Sequence, residues 1–243
     1  MILAIDSGNT FVKLGVYLKN ESQAFFQTTY EDLNKNLKLI SENYTIKNIV
    51  TSVVGKLDTN ILKSFFLNVE IVAINHHLKF PFHNLYETPQ TLGIDRMVLS
   101  AGAVFNFPNK NRLVIDMGSC ITYDFINAND DYLGGAISPG LNMRYEALNE
   151  KTAKLPLLAP EICEDVIGKS TKYAIHSGVM NGVLFEINGY ITHFLSENDN
   201  FIIILTGGSS FFFAKPLKSL IFAEPNFLLN SLVQLYTYQQ SND

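Results

Sequence analysis

The residues best suited to chemistry lie at the ends of two apolar runs. The first run, residues 2–5, leads into Asp6-Ser7-Gly8-Asn9-Thr10. Glycine lets a chain take φ > 0 and approach a ligand closely, and the N–H groups of such a turn form an anion-binding concavity. Asn9 and Thr10 add side-chain donors, and Asp6 at the strand tip is placed to hold Mg²⁺ directly or through water. The second run, 113–115, leads into Asp116-Met117-Gly118-Ser119 and on through Cys120-Ile121-Thr122-Tyr123-Asp124. Asp116 and Ser119 bring a carboxylate and a hydroxyl to a second phosphate or a cation, while Thr122 and Asp124 alternate along a strand and share one face. Either turn alone reads equally as an ordinary Asx-Gly turn. Two of the same kind favour phosphate binding.

Gly93-Ile94-Asp95-Arg96 opens a helix. A lone Asp there is first of all a favourable charge on the helix dipole. Beside Arg96, and after a loop holding Tyr86 and Pro89, a second role arises. The carboxylate accepts the proton of an attacking hydroxyl, and the guanidinium clamps an anion. Gly134-Gly135-Ala136-Ile137-Ser138-Pro139-Gly140 has more glycine than a strand end needs and points to close backbone approach at the start of the next helix. Thr206-Gly207-Gly208-Ser209 reads as a strand-to-helix turn or as a backbone cradle for the adenosine end of a nucleotide. Other signals are weaker. Gly168-Lys169-Ser170 looks like the end of a Walker A loop, but Cys163 stands where the first glycine belongs. His76, His77 and His83 read as solvated loop residues, His176 and His193 are too far apart for a helical metal pair, and Phe211-Phe212-Phe213 reads as helix and core packing.

Apolar periodicity and turn residues set the elements that must position these groups. Strands are expected at 2–5, 12–17, 24–28, 47–54 and 69–74, with helices at 31–43 and 58–67, giving βββαβαβ. A loop at 76–90 and a helix at 93–105 follow. After the polar break Pro108-Asn109-Lys110-Asn111 the order restarts, with strands at 113–115, 120–126 and 132–137 and a helix at 141–148. A loop at 151–163, a long helix at 171–195, a strand at 201–205 and a closing helix at 228–236 complete the chain. The repeated βββα opening implies an internal duplication: two lobes, residues 1–109 and 110–243, related by a pseudo-twofold axis with the active cleft between them. The long helix carries Val179, Val183, Phe185, Ile187 and Ile191 on more than one face. A second apolar face marks a partner surface, and a twofold homodimer is the expected solution.

Composition bounds the function. The chain has 243 residues, 47% of them hydrophobic, enough for a packed α/β core in one large domain or two lobes. The formal charge of −5, with no cluster of Lys and Arg, speaks against polynucleotide binding but not against ATP. Cys120 and Cys163 have no partner at metal spacing, so they are free thiols of a reducing compartment or a disulfide pair. No run reaches the roughly 18 apolar residues that span a bilayer, and the first residues lack a signal-peptide pattern. A soluble, cytoplasmic protein is expected.

Taken in order, Asp6-x-Gly8-Asn9-Thr10, Gly93-x-Asp95-Arg96, Asp116-x-Gly118, Thr122-x-Asp124, Gly134-Gly135-x-Ile137-x-Pro139-Gly140 and Thr206-Gly207-Gly208 closely resemble the motifs of type III pantothenate kinases. The resemblance implies the two-lobed actin-like, sugar-kinase and Hsp70-type ATPase fold. It implies phosphoryl transfer from ATP to pantothenate, the first step towards coenzyme A. It also implies a homodimer, Mg²⁺ and a monovalent cation, K⁺ or NH₄⁺. Carried onto this chain, it makes Asp95 the proton acceptor and Tyr86, Gly93, Ile94, Asp95, Arg96 and Thr171 the pantothenate contacts. It makes Asp6, Ser7, Gly8, Asn9, Thr10, Phe11, Val12 and Lys13 the first ATP-phosphate loop, Ser119 an ATP contact and Asp116 the monovalent-cation ligand. In the family the pantothenate site lies near the dimer interface, so Thr171 is expected to complete the neighbouring subunit's site. The chain departs from the family at Ser119-Cys120, where Thr-Ala is usual; serine keeps the hydroxyl. Two other readings are a non-catalytic ATP-binding transcriptional accessory factor and another small-molecule kinase on this fold. Intact Asp95 and both turns favour the enzyme over the first, and a substrate panel separates the second.

Overall fold

The structure, a computed structural model, describes residues 1–8, 10–53, 57–58, 60–197, 200–217 and 221–241. The chain runs β1 (Ile2–Ser7), β2 (Val12–Leu18), β3 (Glu21–Thr28), α1 (Leu33–Asn43), β4 (Asn48–Val53), α2 (Asn60–Phe65), β5 (Glu70–Ala73), β6 (His83–Asn84) and α3 (Ile94–Asn106). It continues with β7 (Asn111–Met117), β8 (Cys120–Ile126), β9 (Asp131–Pro139), α4 (Leu141–Glu150), α5 (Thr171–His176) and, after a π-helical segment at Ser177–Asn181, α6 (Gly182–Glu197). It ends with β10 (Phe201–Thr206), α7 (Phe211–Leu217), β11 (Ile221–Ala223) and α8 (Phe227–Gln240). Two compact units result. Unit 1 holds Met1–Pro108, Asp130–Leu133 and Asn226–Asp243, and unit 2 holds Asn109–Asn129 and Gly134–Pro225.

Unit 1 is built on a mixed sheet of order β3-β2-β1-β4-β5. β1 pairs antiparallel with β2 and parallel with β4. Alternation along the strands sends Leu3, Ile5, Leu14, Val16 and Ile49 into one core with Leu33, Leu37 and Ile40 of α1 and Leu62 of α2. The helical spacing of those α1 residues is what buries that one stripe. α8 packs against β1, β2, β4 and α3, and Tyr17 donates its hydroxyl to Asn230 Oδ1 at 2.7 Å. The closing helix therefore belongs to the first unit, although its place in the chain puts it in the second half.

Unit 2 repeats the plan. Its strands follow the order β11-β10-β7-β8-β9, with β7 antiparallel to β8 and parallel to β10. Leu113, Ile115, Tyr123, Ile203 and Leu205 share a core with Leu141 of α4, Ile175 of α5 and Val183 and Ile187 of α6. Apart from β6, a sixth strand beside β9, this order repeats that of the first sheet. The molecule is thus α/β with two mixed sheets.

Four local features differ from expectation. β6 and β11 are too short to show a period, and β6 forms only because His83 and Asn84 pair with Asp131 and Tyr132. The expected single helix 171–195 is interrupted by the π-helical turn, a one-residue insertion that re-aims the helix face. Val179, Val183, Ile187 and Ile191, four residues apart, all enter the core on one face, and of the five residues expected on two faces only Phe185 stays exposed. In α7, Phe213 is core but Phe211 is 62% exposed.

Candidate active site

The first turn is held on three sides within unit 1. Asp6, next to last in β1, lies opposite Lys13 of β2 and Ser52 of β4. Ser52 donates its hydroxyl to Asp6 Oδ1 at 2.9 Å. Burial pushes the Asp6 carboxyl up from 3.8 to about 6; Lys13 and the Ser52 hydrogen bond oppose this, and the charge of Asp95 adds to it. Gly8 N–H donates to Phe11 O at 3.1 Å, and the Tyr30 hydroxyl donates to Gly8 O at 2.6 Å. Ser7 and Val12 are fully buried, while Thr10 and Phe11 face outward. Asn9 lies outside the described residues.

The second group in unit 1 stands at the start of α3. Gly93 is the helix N-cap, and Asp95 lies in the first turn, where its charge suits the helix dipole. Asp95 Oδ1 accepts the Arg96 backbone N–H at 2.8 Å. Arg96 is 5% exposed, and its guanidinium carbon lies 5.8 Å from the centre of the Tyr86 ring, a cation–π distance. Tyr86 in turn donates its N–H to Asn84 Oδ1 at 3.0 Å and meets the Tyr132 ring edge-on at 6.1 Å. His76, expected to be solvated, is half-buried and bonded through Nε2 to Leu92 O at 2.8 Å. A carbonyl only accepts, so that nitrogen carries the proton. Ile94 is half-buried beside them.

In unit 2 the second turn is enclosed by backbone. Asp116 lies opposite Thr122 of β8 and Thr206 of β10. A β-carbon on Gly140 would fall on Ser119 O and come within 2.8 Å of Gly118 O, so α4 begins directly against the turn. Gly207, at φ +91°, leaves room only for a hydrogen: a β-carbon there would meet Asp116 Oδ1 and come within 2.6 Å of Met117 N. Ser209 N–H donates to Met117 O at 3.0 Å. Of the glycine-rich segments at 134–140 and 206–208, Gly140 and Gly207 come close to another part of the chain, and what they approach is the second turn, while Gly208 stands in open space. Ser119 is exposed and Asp124 fully buried.

Thr171 is exposed at the first position of α5, behind Ser170, whose side chain caps that helix. It borders an open groove of about 800 Å³ whose walls include Leu148, Leu155, Ile175 and Val179. Buried His176, further along α5, bonds through Nδ1 to Tyr145 OH at 2.8 Å and faces Glu161 Oε2 at 3.5 Å. Burial pushes the Tyr145 hydroxyl up to about 12. Lys172 holds the same Glu161 at 2.9 Å, so the segment before α5 is fastened to it. Both cysteines are free.

Among the described residues no group of three or more His, Cys, Asp or Glu could hold a metal ion, and no helix is long and apolar enough to cross a membrane. Single carboxylates at strand tips suit a hard cation that keeps most of its oxygen ligands from water and substrate phosphates. Sequence reasoning missed Tyr30, Ser52, Tyr132 and His76. Each acts across a gap in sequence, and no local pattern marks it.

The comparisons agree with this geometry. A family model described as type III pantothenate kinase matches residues 2–193. A type III pantothenate kinase of Flavobacterium johnsoniae is 50% identical over 244 residues, covering 100% of each chain. A Campylobacter jejuni structure provisionally described as a Baf family transcriptional activator is 20% identical, with TM-score 0.63 over 98% of this chain and 99% of that one. A Listeria monocytogenes structure provisionally described as an N-acetylmannosamine kinase is 14% identical, with TM-score 0.54 over 100% and 99%. Identities this low show the fold alone, an α/β fold that the chain shares with both structures. The 50% identity over the whole chain and the family match across most of it make this chain a member of the type III pantothenate kinase family.

Proposed function

We propose that the chain transfers the γ-phosphoryl group of ATP to the primary hydroxyl of pantothenate, working as a cytoplasmic homodimer. The observation that supports this most directly is the 50% identity over the whole chain to a type III pantothenate kinase, with Asp95 and the first turn both in unit 1. Phosphoryl transfer needs positioning and charge neutralisation more than covalent chemistry.

In this reading the first turn, from Asp6 to Lys13, takes the ATP phosphates through backbone N–H groups, with Lys13 offsetting their charge. Asp95 accepts the proton of the attacking hydroxyl as the new O–P bond forms. Gly93, Ile94, Tyr86 and Arg96 hold pantothenate, and Arg96 is kept rigid by the Tyr86 ring. Thr171, exposed on α5, serves pantothenate across the dimer. Ser119 is assigned to ATP and Asp116 to a monovalent cation, K⁺ or NH₄⁺. Mg²⁺, bound with ATP and aided by Asp6, supplies positive charge to the phosphates.

A coupled assay of ADP release with and without pantothenate tests the reading. Release dependent on pantothenate, with none on a panel of sugars or acetate, supports it. Release indifferent to pantothenate rejects it.

A further inference from the structure

Tyr30 sits on no motif, yet it makes two hydrogen bonds to the first turn. Its hydroxyl lies 2.6 Å from Gly8 O and 2.8 Å from Ser7 Oγ. The directions follow from chemistry. A carbonyl can only accept, so the single Tyr30 proton goes to Gly8 O, and the Ser7 hydroxyl must then donate to the Tyr30 oxygen. The result is a directed chain, Ser7 to Tyr30 to Gly8.

Each link is anchored. Ser7 is 0% exposed in β1, and the Tyr30 ring packs on the core formed by Leu33, Leu37 and Ile40. Gly8 is bonded at both ends, since its N–H donates to Phe11 O. A glycine turn without such ties would lose backbone entropy each time a ligand ordered it. Fixing the turn beforehand removes that loss, and linked hydrogen bonds reinforce one another. The Ser7 hydroxyl is spent inside the protein and faces no ligand.

We propose that Tyr30 is a positioning residue for nucleotide binding, holding the phosphate turn in its binding shape through the Ser7–Tyr30–Gly8 chain. This rests on the assignment of that turn to the ATP phosphates. It makes the sequence-expected role of Ser7 indirect: Ser7 holds Tyr30, and Tyr30 holds the turn.

The test is a cycle of Tyr30→Phe, Ser7→Ala and the double variant. ATP affinity is measured by calorimetry without acceptor, alongside steady-state KM values and thermal midpoints. Tyr30→Phe keeps the ring and its packing, so only the hydroxyl is lost. Expected is a roughly tenfold weaker ATP affinity in Tyr30→Phe, the change that follows from losing about 1.4 kcal/mol of hydrogen bonding. The KM for pantothenate should move less than about twofold, and the double variant should be no weaker than Tyr30→Phe alone. Unchanged ATP affinity, equal rises in both KM values, or additive losses in the cycle overturn the proposal. Should Tyr30→Phe fold poorly, Ser7→Ala decides alone: a loss of about threefold in ATP affinity supports the chain, and none overturns it. The calorimetric arm needs no acceptor, so it separates this proposal from the choice of pantothenate as substrate.

Discussion

Asp95 Oδ1 occupies the place that a β-carbon on Gly93 would take. Gly93 has φ −57° and ψ 136°, a conformation open to alanine, so a Gly93→Ala variant should fold. What must move is the Asp95 carboxylate. Misplacing a reacting group by about 1 Å costs roughly 10²-fold in rate. Steady-state kinetics of Gly93→Ala should show kcat lowered on that scale, with ATP affinity unchanged. A variant with wild-type kcat would separate Gly93 from the base.

Removing the base itself should cost more. Asp95→Asn keeps size and the bond from Arg96 N–H but cannot take a proton. Turnover should fall by about 10²–10⁴-fold, while calorimetry still detects ATP. Turnover near wild type would reject Asp95 as proton acceptor.

Asp6 trades stability for charge. The unfolded chain releases this proton near 3.8, whereas the folded chain releases it near 6 because of burial. Between those values the folded state binds more protons, so rising pH removes stability across that window. In metal-free buffer Asp6→Asn should be more stable than the parent at about pH 7, by on the order of 3 kcal/mol, and lose that advantage near pH 4. The same variant should turn over poorly. Denaturant unfolding at the two pH values checks the sign, and a parent more stable than Asp6→Asn at pH 7 contradicts it.

The second turn should respond to monovalent cations. Activity should be low in Na⁺ alone and recover with K⁺ or NH₄⁺, and Asp116→Asn should blunt the recovery. Gly207→Ala should do the same, because its β-carbon meets Asp116 Oδ1 and the backbone sits at φ +91°. Equal rates in the three salts would remove the cation from the account.

Assembly can be read from dilution. If Thr171 serves a neighbouring subunit, specific activity should drop as the dimer dissociates. A mixed dimer of Asp95→Asn and Thr171→Val chains should regain one working site. A fully active monomer in sedimentation would end that reading.

Much of this was legible because it is local. The strand tips at Asp6 and Asp116 follow apolar runs, and their glycines mark the turns, so the duplicated plan could be read directly. Asp95 stood out because it opens a helix beside Arg96. Ser52 did not, because the parallel pairing that puts it beside Asp6 joins β1 to β4 across two intervening strands and a helix. Tyr30 and His76 look like any loop residues until the chain folds back on Gly8 and Leu92. The π-helical turn was invisible for another reason: Ser177-Gly178-Val179-Met180-Asn181 carries no residue type that sets a π turn apart from an α-helix.

The repeated sheet plan gives the chain an internal control. Asp6 and Asp116 stand next to last in equivalent strands, yet Asp6 lies opposite Lys13 and Ser52, whereas Asp116 lies opposite Thr122 and Thr206. The partner on the antiparallel side thus differs by one positive charge, while the partner on the parallel side carries a hydroxyl in both copies. If the first copy takes phosphate and the second a cation, exchanging Lys13 and Thr122 would ask whether that one charge is enough to invert the specialisation.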